Sequence, residues 1–426
     1  MTMSARLLRD DHTISGSAVP PLQPTFDAPA IPTRPVLDVF LRAPESGTRR
    51  RLTVHEPMAA FGLIDELDFL TARAVDQNVF FAPQFLVPAM PRLDDRRVRL
   101  MLVRDETAAR SRLRVLLPFT VEKPGLFGGA PVIRAFAHPF GRLGTPLLDS
   151  DDPAGTLADL VVGLAKPDLG LPDVLVLPEV RLDGPAAGWI RGVAGRRGLA
   201  AETTNVFERA VLSGDRPPAT TPKRRRELAR MVRVLERLGG PVRSVTAAEP
   251  ETVRLAFEEF LVLEASGWKG RERSALVMDR YRSAFAREAV NLMAEKGRAR
   301  ILELRAGGRL AASLVCFVID GEAVLWKIAY DEAFAKASPG FQVVAEATRR
   351  FLADPAIARV DSCAMPDSLL VNRLWPERTS IGTIVLSLRP GGEARVAQVA
   401  RALKTASRSR NAVRLMRERL AGLLRR

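Results

Sequence analysis

Residues 301–352 constrain the fold more than any other stretch of this chain. They hold three apolar, strand-like runs and then one helical pattern, at residues 301–304, 310–319, 323–330 and 341–352. The turn Ser338-Pro339-Gly340 separates the last strand from the helix, so the order predicts a sheet that feeds a helix through a glycine turn. The first amides of a helix lack internal partners and lie at the positive end of its dipole. A phosphate-bearing cofactor could therefore bind at this turn.

The whole chain of 426 residues is long enough for two domains with extensions. Proline-rich stretches and alternating strand and helix patterns indicate where the segments divide. The predicted segments are a flexible leader at 1–35, a first α/β unit at 36–213, a linker at 214–222, a second α/β unit at 223–390 and a tail at 391–426. The two units look like a duplicated fold, although they share no obvious sequence repeat.

Several features predict a cytoplasmic protein. No uninterrupted apolar run reaches the roughly 18 residues that suggest a membrane span, and acidic residues at positions 10 and 11 interrupt any signal-like start. The only cysteines are Cys316 and Cys363, which we interpret as packing residues rather than a disulfide. Two distant cysteines and three scattered histidines also predict no metal site.

The tail carries about half of the net charge of +15, because residues 393–426 contain ten Lys or Arg and two acidic residues. Its apolar residues fall close to helical spacing with arginines between them, which predicts a basic amphipathic helix. Such a helix could lie on an anionic membrane surface or touch nucleic acid. It could equally be a solvated helix that packs on its own protein.

The second unit contains a set of short motifs. They are Leu-Glu-Ala-Ser-Gly-Trp-Lys-Gly at 263–270, a basic helix from Lys223, Trp-Lys-Ile-Ala-Tyr-Asp-Glu at 326–332, the turn at 338–340, Asp-Ser at 361–362 and Leu-Trp-Pro-Glu-Arg at 374–378. With these residues the unit resembles the acetyltransferase domain of the GNAT superfamily, in the form found in CelD/BcsL cellulose-biosynthesis-type acetyltransferases. The first unit, with Asn-Val-Phe-Phe at 78–81, looks like the N-terminal partner usual in that family. The tandem arrangement is similar to that of Fem-type transferases.

The resemblance implies an α/β (α+β) fold with tandem GNAT-like domains, whose mixed, mostly antiparallel sheets are flanked by helices. It implies transfer of an acyl group, with acetyl-CoA as co-substrate, to an amine or hydroxyl acceptor such as a polysaccharide precursor. Ser338, Gly340 and the amide of Phe341 stand where the superfamily binds the cofactor pyrophosphate. The turn has one glycine and a proline instead of the superfamily's fuller glycine-rich turn.

Three candidate site residues lie at the end of the third strand. Tyr330 could protonate a leaving thiolate as a general acid, or could be a structural tyrosine. Lys327 lies in an otherwise apolar strand and should face a cleft, a carboxylate or solvent, since an unpaired buried charge is costly; substrate binding and simple edge exposure are both open. Asp331, with Glu332, could act as a general base or contact substrate, although capping of the following loop explains these residues too.

The remaining candidates lie elsewhere in the second unit. Glu264, beside Trp268 and Lys269, could bind or deprotonate an acceptor, or could form a helix-end ion pair. Trp268 could be a lid or a core residue. Asp361 could polarise an acceptor or cap a turn. His138 in the first unit is interpreted as structural.

Three functions are consistent with the sequence. The leading prediction is an acyl-CoA-dependent N- or O-acyltransferase. A Fem-like aminoacyl or peptidyl transferase would take its donor from a charged tRNA, whose phosphates the basic helix from Lys223 could bind, although that helix lacks interleaved aromatic residues. A non-catalytic assembly module with this fold would use the tail as a membrane contact.

Overall fold

A computed structural model describes residues 35–42, 49–93, 97–107, 111–125, 128–214 and 221–424; beyond residue 409 it describes a side chain only at 412. The predicted leader, apart from residue 35, and most of the predicted linker lie outside the described residues. None of the helices in these ranges is both long and apolar enough to cross a membrane.

Eight strands and four α-helices lie in the described residues of the first half. The strands are β1 (Leu37–Arg42), β2 (Arg49–His55), β3 (Arg99–Glu106), β4 (Ser111–Glu122), β5 (Val132–Ala135), β6 (Leu147–Leu148), β7 (Val174–Arg181) and β8 (Ala201–Ser213). The helices are α1 (Ile64–Ala72), α2 (Pro83–Leu93), α3 (Pro153–Leu164) and α4 (Pro185–Arg196). Short 3-10 turns occupy Pro57–Leu63, Val79–Phe81 and Pro167–Leu169.

Residues 221–424, which the structure describes in the second half, add six strands and seven α-helices. The strands are β9 (Val242–Ala247), β10 (Ala299–Ala306), β11 (Arg309–Ile319), β12 (Glu322–Tyr330), β13 (Arg359–Asp361) and β14 (Arg378–Ser387). The helices are α5 (Pro222–Gly239), α6 (Pro250–Ser266), α7 (Trp268–Arg271), α8 (Arg280–Glu295), α9 (Pro339–Ala353), α10 (Leu369–Leu374) and α11 (Glu393–Leu424). Short 3-10 turns occupy Leu276–Met278 and Glu332–Ala337.

The predicted order of three strands, a turn and a helix at 301–352 is confirmed by β10, β11, β12 and α9. Helical spacing in the sequence predicts one helix around 58–75 and another over about 276–296, and both predictions are too long. The helix predicted at 58–75 begins as a 3-10 turn, and its α-helical part is α1 alone. The helix predicted at 276–296 begins only at Arg280, because the Asp279 carboxylate accepts hydrogen bonds from the amides of Tyr281 and Arg282 at 3.0 and 2.9 Å and caps α8 there.

The strands form one continuous sheet, in the order β1-β2-β3-β4-β5-β7-β14-β8-β13-β12-β11-β10-β9, with β6 on β4. The two halves repeat one topology: four antiparallel strands, β2 to β5 or β9 to β12, lead through a crossing helix, α3 or α9, to a parallel strand, β7 or β13. The prediction of a tandem, mixed α/β fold is confirmed.

The two halves exchange their last strands. The final strand of the second half, β14, lies beside β7 of the first half, and β8 of the first half lies beside β13 of the second. The two exchanged strands also pair with each other along most of their length. The exchange joins both halves into one sheet through backbone hydrogen bonds, so β14 lies in the first half's sheet although its residues fall in the range predicted for the second unit.

One hydrophobic core also bridges the halves. Helix α2 of the first half packs against α8 of the second over one face of the sheet, and α1 and α6 contribute residues to the same core. The ring of Phe85, on α2, lies 5.1 Å from that of Phe285 on α8 and 5.9 Å from that of Trp326 on β12. On the opposite face, α5, α9 and α10 cover the second half's strands. We call these two sides the α6/α8 face and the α5/α9 face.

The first turns of the tail pack on the protein itself. Val396, Val399, Ala400 and Leu403 of α11 are buried against valines of β5, β7 and β14. The predicted helix is therefore present, and its first part follows the interpretation in which it covers its own protein.

Candidate active site

Strands β12 and β13 separate part-way along their length. They pair in parallel only over residues 322–324 and 359–361. Beyond Val324, residues 325–330 of β12 keep β11 as a neighbour, while the chain after Asp361 leaves the sheet. Because the pairing ends there, one edge of β12 has backbone groups that no neighbouring strand satisfies. An extended ligand with amide groups can pair with such an edge.

A β-bulge at Trp326 decides which side chains face this opening. Leu325 pairs with Cys316 and Lys327 pairs with Val315, so Trp326 is the additional residue. As a result Trp326 and Lys327 both lie on the α6/α8 face, where regular alternation would have placed them on opposite faces. Asp361 pairs with Val324, whose side chain also lies on the α6/α8 face. The bulge therefore brings Lys327 to the same side of the sheet as Asp361.

Glu264 is the centre of a buried polar cluster on this face. It is only 2% exposed, and its carboxylate accepts hydrogen bonds from Lys269 Nζ and from the amide of Leu276, each at 2.9 Å. Lys269 Nζ also donates to the backbone oxygen of Ile328 on β12, at 2.9 Å. The sharp turn between α6 and α7 needs glycine at 270, since a Cβ there would lie 1.7 Å from the oxygen of Ala265. Glu264 thus holds the segment after α6 against the open edge of β12.

A loop of the first half, residues 136–142, lies against the same strand. Trp326 Nε1 donates to the backbone oxygen of Phe140 at 2.8 Å, and Lys327 Nζ lies 4.2 Å from the centre of the Phe140 ring. His138 stacks on that ring at 5.3 Å. The loop brings aromatic and polar groups of the first half to the second half's opening.

A chain of charged groups links this loop to β13. Arg142 pairs with Glu179 at 2.7 Å, Glu179 pairs with Arg209 at 2.5 Å, and Arg209 Nη1 lies 3.5 Å from Asp361. Arg209 is 1% exposed; burial works against its charge, but Asp361 and Glu179 together hold its pKa above the ordinary value. The other Asp361 oxygen accepts the amide of Cys363 at 2.7 Å. Asp361 is therefore oriented by groups from both halves.

The turn before α9 has the shape expected of a helix start, but two of the first amides of α9 already donate hydrogen bonds within the protein. Ser338 has a left-handed backbone, with φ of 52°, and forms no side-chain cap. Its backbone oxygen accepts the amides of Phe341 and Gln342 at 3.0 and 3.2 Å. A Cβ added at Gly340 would lie 3.5 Å from the Tyr330 ring, in ordinary contact. These residues lie together on the α5/α9 face.

Among the other predicted site residues, Tyr330 and Asp331 make structural contacts, and Trp268 lies at the surface. The Tyr330 side chain packs in the core of the α5/α9 face, on the opposite side of β12 from Glu264 and Lys327. Asp331 accepts the amide of Ala333 at 2.9 Å and pairs with Arg309 at 2.5 Å, which is a capping arrangement. Trp268 is 40% exposed, and its amide donates to Glu332 at 2.7 Å.

Lys327 has a pKa lowered to about 8, chiefly because burial disfavours the ammonium form. Glu264 acts in the opposite direction, while Lys269 and Arg282 lower the pKa further. In the unfolded chain the same group titrates near its ordinary value of 10.5. The folded protein thus binds Lys327's proton more weakly than the unfolded chain does.

This difference predicts a pH-dependent stability. Below about pH 8 both states carry the proton and the buried charge is a constant penalty; between about 8 and 10.5 the unfolded state binds more protons, so stability rises with pH. We expect Lys327→Met to be more stable than the wild type at pH 7, with a gap that narrows as the pH rises through this window. Urea unfolding of both proteins from pH 7 to about 10.5 measures the gap. A constant gap would contradict the lowered pKa.

Sequence reasoning missed Arg209, Glu179, Arg142 and Phe140. One available signal was an arginine within the apolar run 206–212. Residues 128–149 form an irregular segment in the sequence, and nothing in that segment indicates a contact with β12. Within the described ranges, no group of three or more His, Cys, Asp or Glu side chains is placed to hold a metal ion.

Comparisons with known proteins agree with this geometry. Residues 222–367 match the family model described as an acetyltransferase (GNAT) domain. Among solved structures, the chain is similar to the C-terminal domain of a protein assigned as a lysylphosphatidylglycerol synthetase from Agrobacterium fabrum, with 11% identity over 82% of this chain and 96% of that one and a TM-score of 0.50. A search of the curated proteins found no match.

Two further solved structures match this chain with lower TM-scores. FemX has 8% identity over 75% of this chain and 95% of its own, with a TM-score of 0.46. A tandem GNAT protein from the clavulanic acid biosynthesis pathway has 15% identity over 80% and 99%, with a TM-score of 0.36. The match of residues 222–367 supports the predicted GNAT-type domain in the second half, while the narrower CelD/BcsL assignment stays a prediction.

Proposed function

We propose that this protein is an acyltransferase that takes an acyl group, acetyl in the simplest case, from a CoA thioester to the amine or hydroxyl of a small acceptor such as a polysaccharide precursor. The observation that carries the proposal is the separation of β12 from β13, with α9 crossing between them, inside a GNAT-type domain. The open edge of β12 can pair with the amides of an extended donor arm, and the turn at 338–340 begins the helix that would receive its phosphates.

In the proposed reaction the acceptor nitrogen or oxygen attacks the thioester carbonyl. A C–N or C–O bond forms, the C–S bond breaks, and the proton that the acceptor loses neutralises the departing thiolate, so the free thiol is released. Lys327, in its protonated form, is proposed to contact an oxygen of donor or acceptor, and Asp361 is proposed to polarise the acceptor. Glu264 is proposed to act through Lys269, whose ammonium holds Ile328 of the open edge. Tyr330 as the acid for the thiolate stays a prediction.

Ser338→Asp tests the donor site. The added carboxylate would stand at the start of α9, where the pyrophosphate should bind, so we expect acetyl-CoA affinity to fall by about tenfold or more, or ~1.4 kcal/mol. Aspartate tolerates the left-handed backbone of residue 338. Calorimetric titration of the purified chain with acetyl-CoA measures the effect.

Ser338→Asn is the matched control, since asparagine has nearly the same shape and also tolerates this backbone. It should bind acetyl-CoA like the wild type. Equal losses in both variants would mean that shape rather than charge matters. Failure of the wild type itself to bind acetyl-CoA would overturn the proposed donor.

A Fem-like transfer from a charged tRNA is the second candidate, and the charge of α5 favours it. Seven cations project from this helix, and none pairs with a carboxylate within the described part of the chain. They are Lys223, Arg224, Arg225, Arg226, Arg230, Arg233 and Arg237. A row of unpaired cations can bind a phosphate backbone. Salt-sensitive tRNA binding that is lost in Arg230→Glu/Arg233→Glu, without acetyl-CoA binding, would favour this candidate.

A further inference from the structure

A groove between α5 and α9 lies apart from the opening of β12. Its volume is about 590 Å³, within the range of small-molecule pockets. Val242 of β9 and Leu304 of β10 form its floor, and the two helices form its walls. Residues 328 and 330 at the open edge of β12 do not line it. The groove is thus a separate feature of the α5/α9 face.

The lining along the groove is mainly apolar. Leu228 and Val232 contribute from α5, and Ala345 and Leu352 contribute from α9. Leu352 remains 39% exposed. Apolar surface in a concave site of this size is typical of a site that receives an apolar ligand.

The groove has one basic end. Helices α5 and α9 both line the groove over several turns, and Gly239, at the end of α5, lies against Phe334 just before α9, so the two helices run in roughly opposite directions. Arg224 at the start of α5 therefore lies near Arg349 at the end of α9, and both line the groove.

The acidic residue at this end, Glu346, already forms ion pairs with two arginines. Glu346 also lines the groove, and it pairs with Arg349 at 2.7 Å and with Arg350 at 2.8 Å. Arg224 has no carboxylate partner among the residues that the structure describes. The basic end therefore keeps an excess of positive charge that an anion can balance.

The opposite end offers a hydrogen-bond acceptor. Gln342 lies seven residues before Arg349 on α9, or about 10 Å along a helix. It is 4% exposed, its amide nitrogen donates to the oxygen of Ala337 at 2.8 Å, and its side-chain oxygen has no partner among the described residues. A buried acceptor without a partner is costly, so a ligand hydroxyl that reached it would be favoured.

We propose that this groove binds an anionic amphiphile, namely a single alkyl or acyl chain with a carboxylate or phosphate head. The chain lies between α5 and α9, and the head lies at Arg224 and Arg349. Cationic and apolar groups are arranged in the order that such a ligand requires. The site is independent of the proposed acyl transfer, because it shares none of the residues assigned to that reaction.

Titration of the full-length chain with decanoate tests the proposal, with methyl decanoate as the uncharged counterpart. We expect saturable binding of decanoate, weaker binding of the ester, and tighter binding of ω-hydroxydecanoate through Gln342. Arg224→Glu should weaken decanoate binding by about tenfold. Val232→Trp should abolish it, since the indole fills the groove. Arg225→Glu is the control, because this exposed arginine lies on the same helix but does not line the groove.

Several results would overturn the proposal. They are absence of decanoate binding to the wild type, equal binding of the methyl ester, equal losses in Arg224→Glu and Arg225→Glu, and unchanged binding in a folded Val232→Trp. Vesicles containing phosphatidylglycerol separate the sources of the ligand. Vesicle binding that Val232→Trp prevents would identify a lipid, whereas vesicle binding that survives it, without decanoate binding, would mean that α5 is only a surface contact.

Discussion

Glu264→Ala is expected to lower the free energy of unfolding by about 3–5 kcal/mol, which is the cost of removing one partner from a buried ion pair. The alanine would leave the Lys269 ammonium without its carboxylate and the amide of Leu276 without its acceptor. Lys269 would also lose its fixed position at Ile328, so transfer activity should fall with stability. Urea unfolding and an acyl-transfer assay measure the two effects.

Two further variants serve as controls: one removes a carboxylate from a more exposed ion pair, and the other removes both charges of the buried pair. Glu332→Ala removes a partly exposed carboxylate that pairs with Arg271, so it should cost only about 1 kcal/mol. Glu264→Ala/Lys269→Met removes both charges, and it should recover part of the stability without recovering activity. If Glu264→Ala costs no more than Glu332→Ala, the buried cluster does not hold the segment after α6.

The second large effect is expected from Phe85→Ala. The Phe85 side chain is 1% exposed, and its ring lies within 6.0 Å of rings on both halves. Its removal should cost about 3–5 kcal/mol through lost burial and a cavity. Since the cavity would lie between the halves and beside Trp326, we expect unfolding to separate into two transitions and activity to fall.

Phe119→Ala is the matched control. Phe119 is as fully buried as Phe85, but it lies in the core of the first half's sheet, to which the second half contributes only residues of and next to the exchanged strand β14. It should cost a similar free energy without separating the transitions. Calorimetry of the two variants distinguishes them, and a single cooperative transition in Phe85→Ala would show that the exchanged strands are sufficient to keep the halves coupled.

Local patterns predicted the second half well. The strands and helix at 301–352 have regular apolar periodicity and a turn with glycine and proline, so each element follows from its own residues. Helix α2 was missed because it contains Pro88 and Pro91, which sequence reasoning takes as evidence against a helix. Burial of nearly all of α2 between the halves outweighs that preference.

The candidate site was harder to predict, because its residues meet through long-range pairing. Glu264 and Lys269 were identified as neighbours at a predicted helix end, and Lys327 as a charged residue in an apolar strand; the three do lie close together. Arg209 reaches Asp361 only because β8 lies beside β13, and no local pattern indicates a strand exchanged between halves. The bulge at Trp326, which sets the face of Lys327, also leaves no composition signal.

Because of the strand exchange, β7 of the first half must wait during synthesis for a neighbouring strand that is made much later. Strand β7 ends at Arg181, but its neighbour β14 begins only at Arg378. At about 5–20 residues per second, a ribosome takes roughly 10–40 s to add the intervening chain. Throughout that interval the nascent first half has an apolar strand edge without its native neighbour, a form prone to wrong pairing. The yield of this protein in the cell is therefore expected to depend on protection of this edge during synthesis, as well as on the stability of the finished fold.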